Sequence, residues 1–151
     1  MLFRSACKDV EGLQEHLFEL KKYFAEGLSE LSDVTVHLVD NKDGSPVEAA
    51  LREERLKKTA PHIMSVGFVG VRSEVLLHAL EEKGIYVSSG SACSSNHPAV
   101  SGTLKAIEVK KELLDATVRF SFCKDTTKEE VEYTLAVLKE LLPQLRRFWR
   151  K

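Results

Sequence analysis

One cysteine of this chain lies in a segment whose composition suits chemistry. Cys93 is at the centre of the run from Ser88 to His97, which we call the Cys93 run. Almost all of the remaining residues in this run are small or polar. A segment so rich in glycine and serine gives up packing energy, and such segments more often carry function. A cysteine there is expected to be exposed, and an exposed thiolate is the nucleophile of sulfur chemistry. The residues alone also permit an inert Cys93 that only fills space, because free cysteine is commonly buried.

The other candidate residues are weaker. Asn96 and His97 are the last two residues of the Cys93 run and could act as acid–base groups. However, Asn96-His97-Pro98 is also a plausible helix start. Four further histidines have no spacing that suggests a metal site, and each is expected on the surface or in a strand. They are His16, His37, His62 and His78.

The cysteine pattern excludes two classes of protein. Cys7, Cys93 and Cys123 are an odd number, far apart, with no C-x-x-C among them. This spacing fits neither a disulfide framework nor a zinc site, and it favours a reducing cytoplasm. Cys7 and Cys123 are expected to be structural thiols.

Hydrophobic periodicity predicts the elements that must position these residues. Apolar residues recur at three- and four-residue steps from Val10 to Leu31, which predicts a long amphipathic helix whose charged residues, Lys21 among them, fill the other faces. Strands are predicted over 34–38, 64–68, 85–88 and 117–122. In the last strand Arg119 must point away from the face that carries Phe120 and Phe122.

Two more helices follow from capping signals. Ser73 can cap a helix that stops at Lys83-Gly84. Thr126 or Thr127 can form a capping box before a final helix, which Pro143 is expected to kink or fray. Residues 41–62 are interpreted as a surface excursion that could contain a solvated helix. The predicted fold class is α+β, a small, mainly antiparallel sheet packed by two long helices.

Length and charge narrow the class further. The chain has 151 residues, 43% of them apolar, which suits a single domain over residues 1–151. A net charge of -1 gives no electrostatic case for nucleic acid or a membrane surface. No run reaches the roughly 20 apolar residues of a membrane span, and the N-terminus lacks the apolar core of a signal peptide.

Three blocks of sequence carry a family resemblance. The run Gly84 to Ser95, with Ser-Ser-Gly-Ser-Ala-Cys at its centre, resembles the active-site loop of the NifS/IscS-like cysteine desulfurases, a branch of the class V aminotransferases. Residues 71–84 are similar to the helix that precedes this loop in the family. Residues 117–131 resemble the strand and final helix that close the family's chain. The blocks occur in family order and together cover most of residues 61–145.

The resemblance implies a fold, an activity and a site. The fold is the C-terminal small domain of a fold-type I transferase that depends on pyridoxal 5'-phosphate. The activity is conversion of L-cysteine to L-alanine, with the sulfur accepted by Cys93 as a persulfide and the substrate carboxylate held by Arg119. From the residues alone, a plain surface arginine is the favoured interpretation of Arg119. The implied partners are a sulfur-acceptor protein, such as an iron–sulfur scaffold or a thiolation enzyme, and a second subunit in a homodimer.

The same resemblance exposes an absence. The cofactor lysine of the family follows a histidine, and no His-Lys pair occurs in this sequence. The large cofactor-binding domain is therefore expected to be missing, Met1 to begin a fragment, and the chain alone to be inactive. Two alternatives remain open: a free-standing persulfide carrier, and a selenocysteine lyase.

Overall fold

The computed structural model describes residues 10–43, 45, 47–89 and 101–148. Five α-helices, four strands and one short 3-10 helix alternate along these residues. They are α1 (Val10–Ser29), β1 (Val34–Val36), α2 (Ala49–Lys57), β2 (Ile63–Phe68), α3 (Ser73–Glu81), β3 (Ser88–Ser89), α4 (Gly102–Ala106), the 3-10 helix Lys111–Leu113, β4 (Thr117–Ser121) and α5 (Lys128–Arg147). None of the helices in these residues is long and apolar enough to cross a membrane.

The four strands form one sheet in the order β1-β2-β4-β3, and every neighbouring pair is antiparallel. The predicted fold class is confirmed. β4 therefore lies inside the sheet, with β2 on one side and β3 on the other. Each of its residues has its cross-strand neighbours fixed by these two pairings.

One face of the sheet is covered by helices. The buried side chains of β2 and β4 alternate along the strands, and Phe24 of α1 packs edge-on against Phe120 at 4.9 Å and Phe122 at 5.9 Å between ring centroids. α1 and α5 approach closely at Gly27, where a Cβ would collide with the Leu135 side chain. The predicted core of two long helices on one sheet face is confirmed.

The capping predictions have mixed outcomes. Thr127 and Glu130 form the capping box of α5, and Gly84, with φ of 78°, ends the turn after α3 as predicted. Ser73 is not the cap of α3, because that position belongs to Arg72 and Ser73 is buried inside the first turn. α5 continues through Pro143 to Arg147, so the expected fraying at the proline is wrong. The expected kink stays a prediction.

Two other predictions need correction. Strand β3 covers Ser88–Ser89 only. Ile85 donates its N–H to Leu80 O at 2.9 Å and so belongs to the turn that follows α3. Lys21 does not lie on a solvated face. It is 1% exposed and donates to Thr59 Oγ1 at 2.6 Å and Ala60 O at 2.7 Å, just beyond the C-terminal end of α2. Burial lowers the pKa of Lys21 to about 8.

The stretch 41–62 contains a helix, α2, on which Leu56 is the buried residue. Its other side chains stay largely exposed, and Glu53 pairs with Lys22 of α1 at 2.9 Å. The prediction of a solvated helix in this stretch is confirmed.

Candidate functional site

Arg119 lies on the sheet face opposite the core. Its neighbours in sequence, Val118 and Phe120, point to the helices and are buried, whereas Arg119 itself is exposed. The alternation predicted from the sequence is therefore confirmed. The residues directly opposite Arg119 are Ser65 on β2 and Ser88 on β3. These three side chains form a cross-strand row, which we call the Arg119 row.

The Arg119 guanidinium has no hydrogen bond or ion pair within the part of the chain that the structure describes. Its two row neighbours carry short, neutral hydroxyl side chains and are half-buried. A guanidinium presents five N–H donors in a planar fork, keeps its charge at any working pH, and matches a carboxylate with two parallel hydrogen bonds. Arg119 can therefore receive a carboxylate from outside these residues.

A second cross-strand row on the same face is filled by the protein itself. Thr35, Gly67 and Thr117 lie opposite one another on β1, β2 and β4. The His37 ring and the Leu113 side chain cover Gly67 so closely that an added Cβ would meet them at 2.9–3.2 Å. We call Thr35, Gly67 and Thr117, together with the His37 and Leu113 side chains that cover Gly67, the Gly67 row. Thr117 and His37 are buried, in contrast to the exposed Arg119.

His37 is the polar centre of the Gly67 row. Its Nε2 lies 2.9 Å from Thr117 Oγ1, and that hydroxyl donates its only proton to Leu113 O at 2.6 Å. Nε2 must therefore be the donor, which identifies the Nε2–H tautomer of a neutral ring. Burial lowers the pKa of His37 to about 4. The expectation of a surface or strand histidine was wrong, because His37 lies one residue past β1 and is 8% exposed.

Strand β3 connects the Arg119 row to the Cys93 run. Ser88 is opposite Arg119 and Ser89 is opposite Val118, and the sequence then continues into Gly90. Cys93, Asn96 and His97 lie outside the described residues, and the predictions made for them stay predictions.

Ser101 is the residue directly before α4 (Gly102–Ala106). The Ser101 hydroxyl accepts a hydrogen bond from Leu104 N at 3.4 Å and caps this short helix. The Cys93 run therefore begins with the two residues of a strand, and a capped helix starts soon after the run ends.

Cys123 differs from the structural thiol that was expected. It is exposed, two residues past the end of β4. The Thr126 hydroxyl donates to its sulfur at 3.5 Å and, together with the Asp125 backbone, lowers the pKa of the thiol. Cys123 is thus a second thiol that reagents can reach, and experiments on Cys93 must control for it.

No cluster of histidine, cysteine and acidic side chains suitable for a metal ion occurs in the residues that the structure describes. The interpretation of His16, His62 and His78 as surface residues agrees with their exposure. Of the described residues that the sequence singled out, Arg119 is the one that could bind a carboxylate ligand.

Comparison with known proteins identifies the family. The model of the aminotransferase class-V family matches residues 7–134. The chain belongs to this family. The matched region includes the Arg119 row, the Gly67 row and the Cys93 run.

Curated relatives of the chain share one name. The chain is 34% identical over 144 residues to the cysteine desulfurase IscS of Vibrio atlanticus, covering 95% of this chain and 31% of the relative. It is 38% identical over 100 residues to the IscS of Buchnera aphidicola subsp. Baizongia pistaciae, covering 66% of this chain and 24% of the relative. The chain thus spans about a quarter to a third of the length of these relatives. Neither name supports a free-standing carrier or a selenocysteine lyase.

Solved structures agree with this assignment. A NifS-like protein superposes with a TM-score of 0.70 at 26% identity, covering 93% of this chain and 31% of that protein. The apo cysteine desulfurase of Thermococcus onnurineus superposes with a TM-score of 0.60 at 28% identity, covering 88% and 26%. The fold of this chain is therefore a part of the fold of these enzymes.

Proposed function

We propose that this chain is the small domain of a cysteine desulfurase, in which Arg119 binds the carboxylate of L-cysteine and Cys93 accepts its sulfur. The observation that carries the proposal is the Arg119 row. An arginine without an acceptor among the described residues lies on the sheet face opposite the core, next to the strand that leads into the Cys93 run. The names of the relatives supply the reaction class.

Arg119 orients the substrate in this proposal. A bidentate pair between the guanidinium and the α-carboxylate fixes one end of L-cysteine, so the position of the thiol end depends only on a few rotatable bonds. Ser88 is five residues before Cys93 in sequence. The strand that carries Ser88 thus connects the carboxylate site directly to the segment with the nucleophile.

Cys93 performs the sulfur transfer. Its thiolate attacks the sulfur of L-cysteine, forming an S–S bond as the C–S bond breaks. The electron pair of the broken bond stays with carbon, for which the cofactor held elsewhere in the complete enzyme would supply the electron sink. Carbon takes up the proton of the substrate thiol, so the products are L-alanine and a persulfide on Cys93. The step needs no external oxidant or reductant.

The described residues do not fit pyridoxal phosphate, the cofactor that the family implies. In the family the cofactor is attached to a lysine that follows a histidine. No His-Lys pair occurs in the sequence. We infer that the cofactor is held by another part of the complete enzyme, and that this chain alone does not turn over L-cysteine.

The remaining assignments also belong to the complete enzyme. We infer a homodimer in the cytoplasm that passes the persulfide sulfur to an acceptor protein, such as an iron–sulfur scaffold or a thiolation enzyme. The near-neutral charge of the chain supports a protein acceptor over direct binding to nucleic acid.

The test uses the complete, cofactor-loaded protein that contains this chain. After incubation with L-cysteine, intact-protein mass spectrometry and peptide mapping should find one added sulfur on Cys93, together with L-alanine. Cys93→Ser should abolish both, whereas Cys123→Ser, which removes the exposed thiol of the fold, should retain both. Persulfide on Cys123, or L-alanine formation that survives Cys93→Ser, would contradict the proposal.

A further inference from the structure

We infer that Ser65 and Ser88 keep the carboxylate site available to substrate, because neither side chain gives the Arg119 guanidinium a partner within the described part of the chain. The inference rests on the proposed role of Arg119 and adds two residues to it. Both side chains are short and neutral. An acidic side chain at either of these two positions could neutralise the charge of Arg119.

The register of the sheet gives these positions their importance. Arg119 is on an interior strand, so it has a direct cross-strand neighbour on each side, Ser65 and Ser88. Directly opposite residues in antiparallel strands have Cβ atoms about 4.5–5.5 Å apart and share one face of the sheet. A carboxylate at either position would therefore lie within reach of the guanidinium.

Four other arginines show what happens in this fold when an acceptor is within reach, whereas Arg147, at the exposed end of α5, is like Arg119 in having no partner among the described residues. Arg52 binds Asp40 at 2.9 Å, Arg72 binds Asp115 at 3.1 Å, and Arg55 donates to Val39 O and Asn41 Oδ1 at 3.0 and 2.9 Å. Arg146 donates to three backbone carbonyls, those of Ser32, Asp33 and Val69. Within the described residues Arg119 makes no such bond, although it is flanked on both sides.

The chemistry of the flanking side chains explains the difference. A serine hydroxyl is uncharged and too short to replace a carboxylate as a bidentate partner for the fork of donors. The sheet face beside Arg119 therefore carries a positive charge that a substrate carboxylate can neutralise without first displacing an internal anion. Because a cross-strand pair of opposite charges is stabilising, an acidic residue at either position would compete with the substrate.

The experiment replaces Ser65 with aspartate and, as a matched control, with asparagine. The two side chains have the same size and shape and differ in charge. The ratio of the KM values of the two variants therefore reports the effect of the charge alone. In the complete enzyme, KM for L-cysteine should be about two- to fivefold higher in Ser65→Asp than in Ser65→Asn, with kcat differing less than KM. Ser88→Asp and Ser88→Asn provide a second pair if a Ser65 variant fails to fold.

A spectroscopic measurement on the 151-residue chain gives a readout that does not depend on turnover. The NMR resonance of the Arg119 side-chain Nε–H should shift in Ser65→Asp and stay near its original position in Ser65→Asn. Equal KM values and equal Nε–H shifts in the two variants would overturn the inference.

Arg119→Gln distinguishes a failure of the proposed carboxylate site from a failure of the role proposed for the two serines. If Arg119→Gln raises KM for L-cysteine while the aspartate and asparagine variants behave alike, the proposed role of Arg119 stands and the role of the serines fails. If Arg119→Gln leaves KM unchanged, the proposed carboxylate site fails, and this inference fails with it.

Discussion

Two rows of residues on one sheet face differ in the burial and the hydrogen bonding of their polar groups. In the Gly67 row, Thr117 and His37 are 6% and 8% exposed, and their hydrogen bonds form a chain that ends on a backbone carbonyl. In the Arg119 row, two strand positions further along β4, the guanidinium is exposed and has no partner within the described residues. Thr117 and His37 complete their hydrogen bonds inside the protein, whereas we propose that the guanidinium of the second row binds a carboxylate from outside.

The difference indicates where stability and function reside on this face. Buried polar groups that are fully hydrogen-bonded stabilise a fold and make it specific, whereas losing one partner is costly. An unpaired arginine on a rigid interior strand contributes little to stability but presents a fixed charge. We therefore expect substitutions in the Gly67 row to change the free energy of unfolding, and substitutions in the Arg119 row to change substrate binding.

The largest expected effect is a dependence of stability on acid that arises from His37. The pKa of His37 is lowered by burial to about 4 in the folded protein, from 6.5. Between these values the unfolded chain binds the proton and the folded chain does not, so stability falls as the pH falls from 6.5 towards 4. The loss at pH 4 relative to pH 7 is on the order of 3 kcal/mol.

The measurement compares urea unfolding of the wild type and His37→Gln at pH 7 and pH 4. Glutamine keeps an N–H donor for Thr117 but does not titrate in this range. The wild type should lose more stability than the variant over this interval. Equal losses in the two proteins would show that His37 is not the buried neutral group of the Gly67 row.

A smaller effect is expected from Gly67→Ala. The added Cβ would lie 2.9 Å from Leu113 Cδ2 and 3.1 Å from His37 Cε1, so both buried side chains must shift. We expect a loss of about 1–2 kcal/mol in the free energy of unfolding, since Leu113 can yield at the end of its side chain. Gly102→Ala is the matched control, because nothing lies within 4 Å of its Cβ. An equal loss in both variants would mean that the ring and Leu113 do not cover Gly67 closely.

Local patterns predicted the Arg119 row better than they predicted the Gly67 row. The outward direction of Arg119 follows from the period of two along its own strand, and the capping box at Thr127 and Glu130 follows from residues three apart. The burial of His37 depends on Leu113, which is 76 positions away in sequence, and on a glycine on another strand. No pattern within one element contains that information.

Lys21 shows a different reason for a wrong prediction. It is four residues after Leu17 and three before Phe24, so helical periodicity alone places it on the buried stripe of α1. Its charge argued for a solvated face, but the carbonyl of Ala60 and the hydroxyl of Thr59 bind the ammonium where α2 ends. The position could have been predicted from the spacing. The partners could not, because they belong to a segment 38 and 39 residues away.

The smallest expected effect on stability comes from Arg119→Gln, and it completes the contrast between the rows. Arg119 is exposed and has no partner among the described residues, so its replacement should change the free energy of unfolding by no more than about 0.5 kcal/mol. Thr117→Val is the matched comparison on the same face of the same strand. It removes the hydroxyl that His37 and Leu113 O share, and should cost about 1–3 kcal/mol.

Urea unfolding of the two variants at pH 7 tests this contrast directly. A loss for Arg119→Gln as large as that for Thr117→Val would mean that the guanidinium makes stabilising contacts within the folded chain. Arg119 would then be committed to the protein, and the case for an external carboxylate would weaken. A negligible loss, combined with a higher KM for L-cysteine in the complete enzyme, would show that this charge is kept on the sheet for binding at no gain in stability.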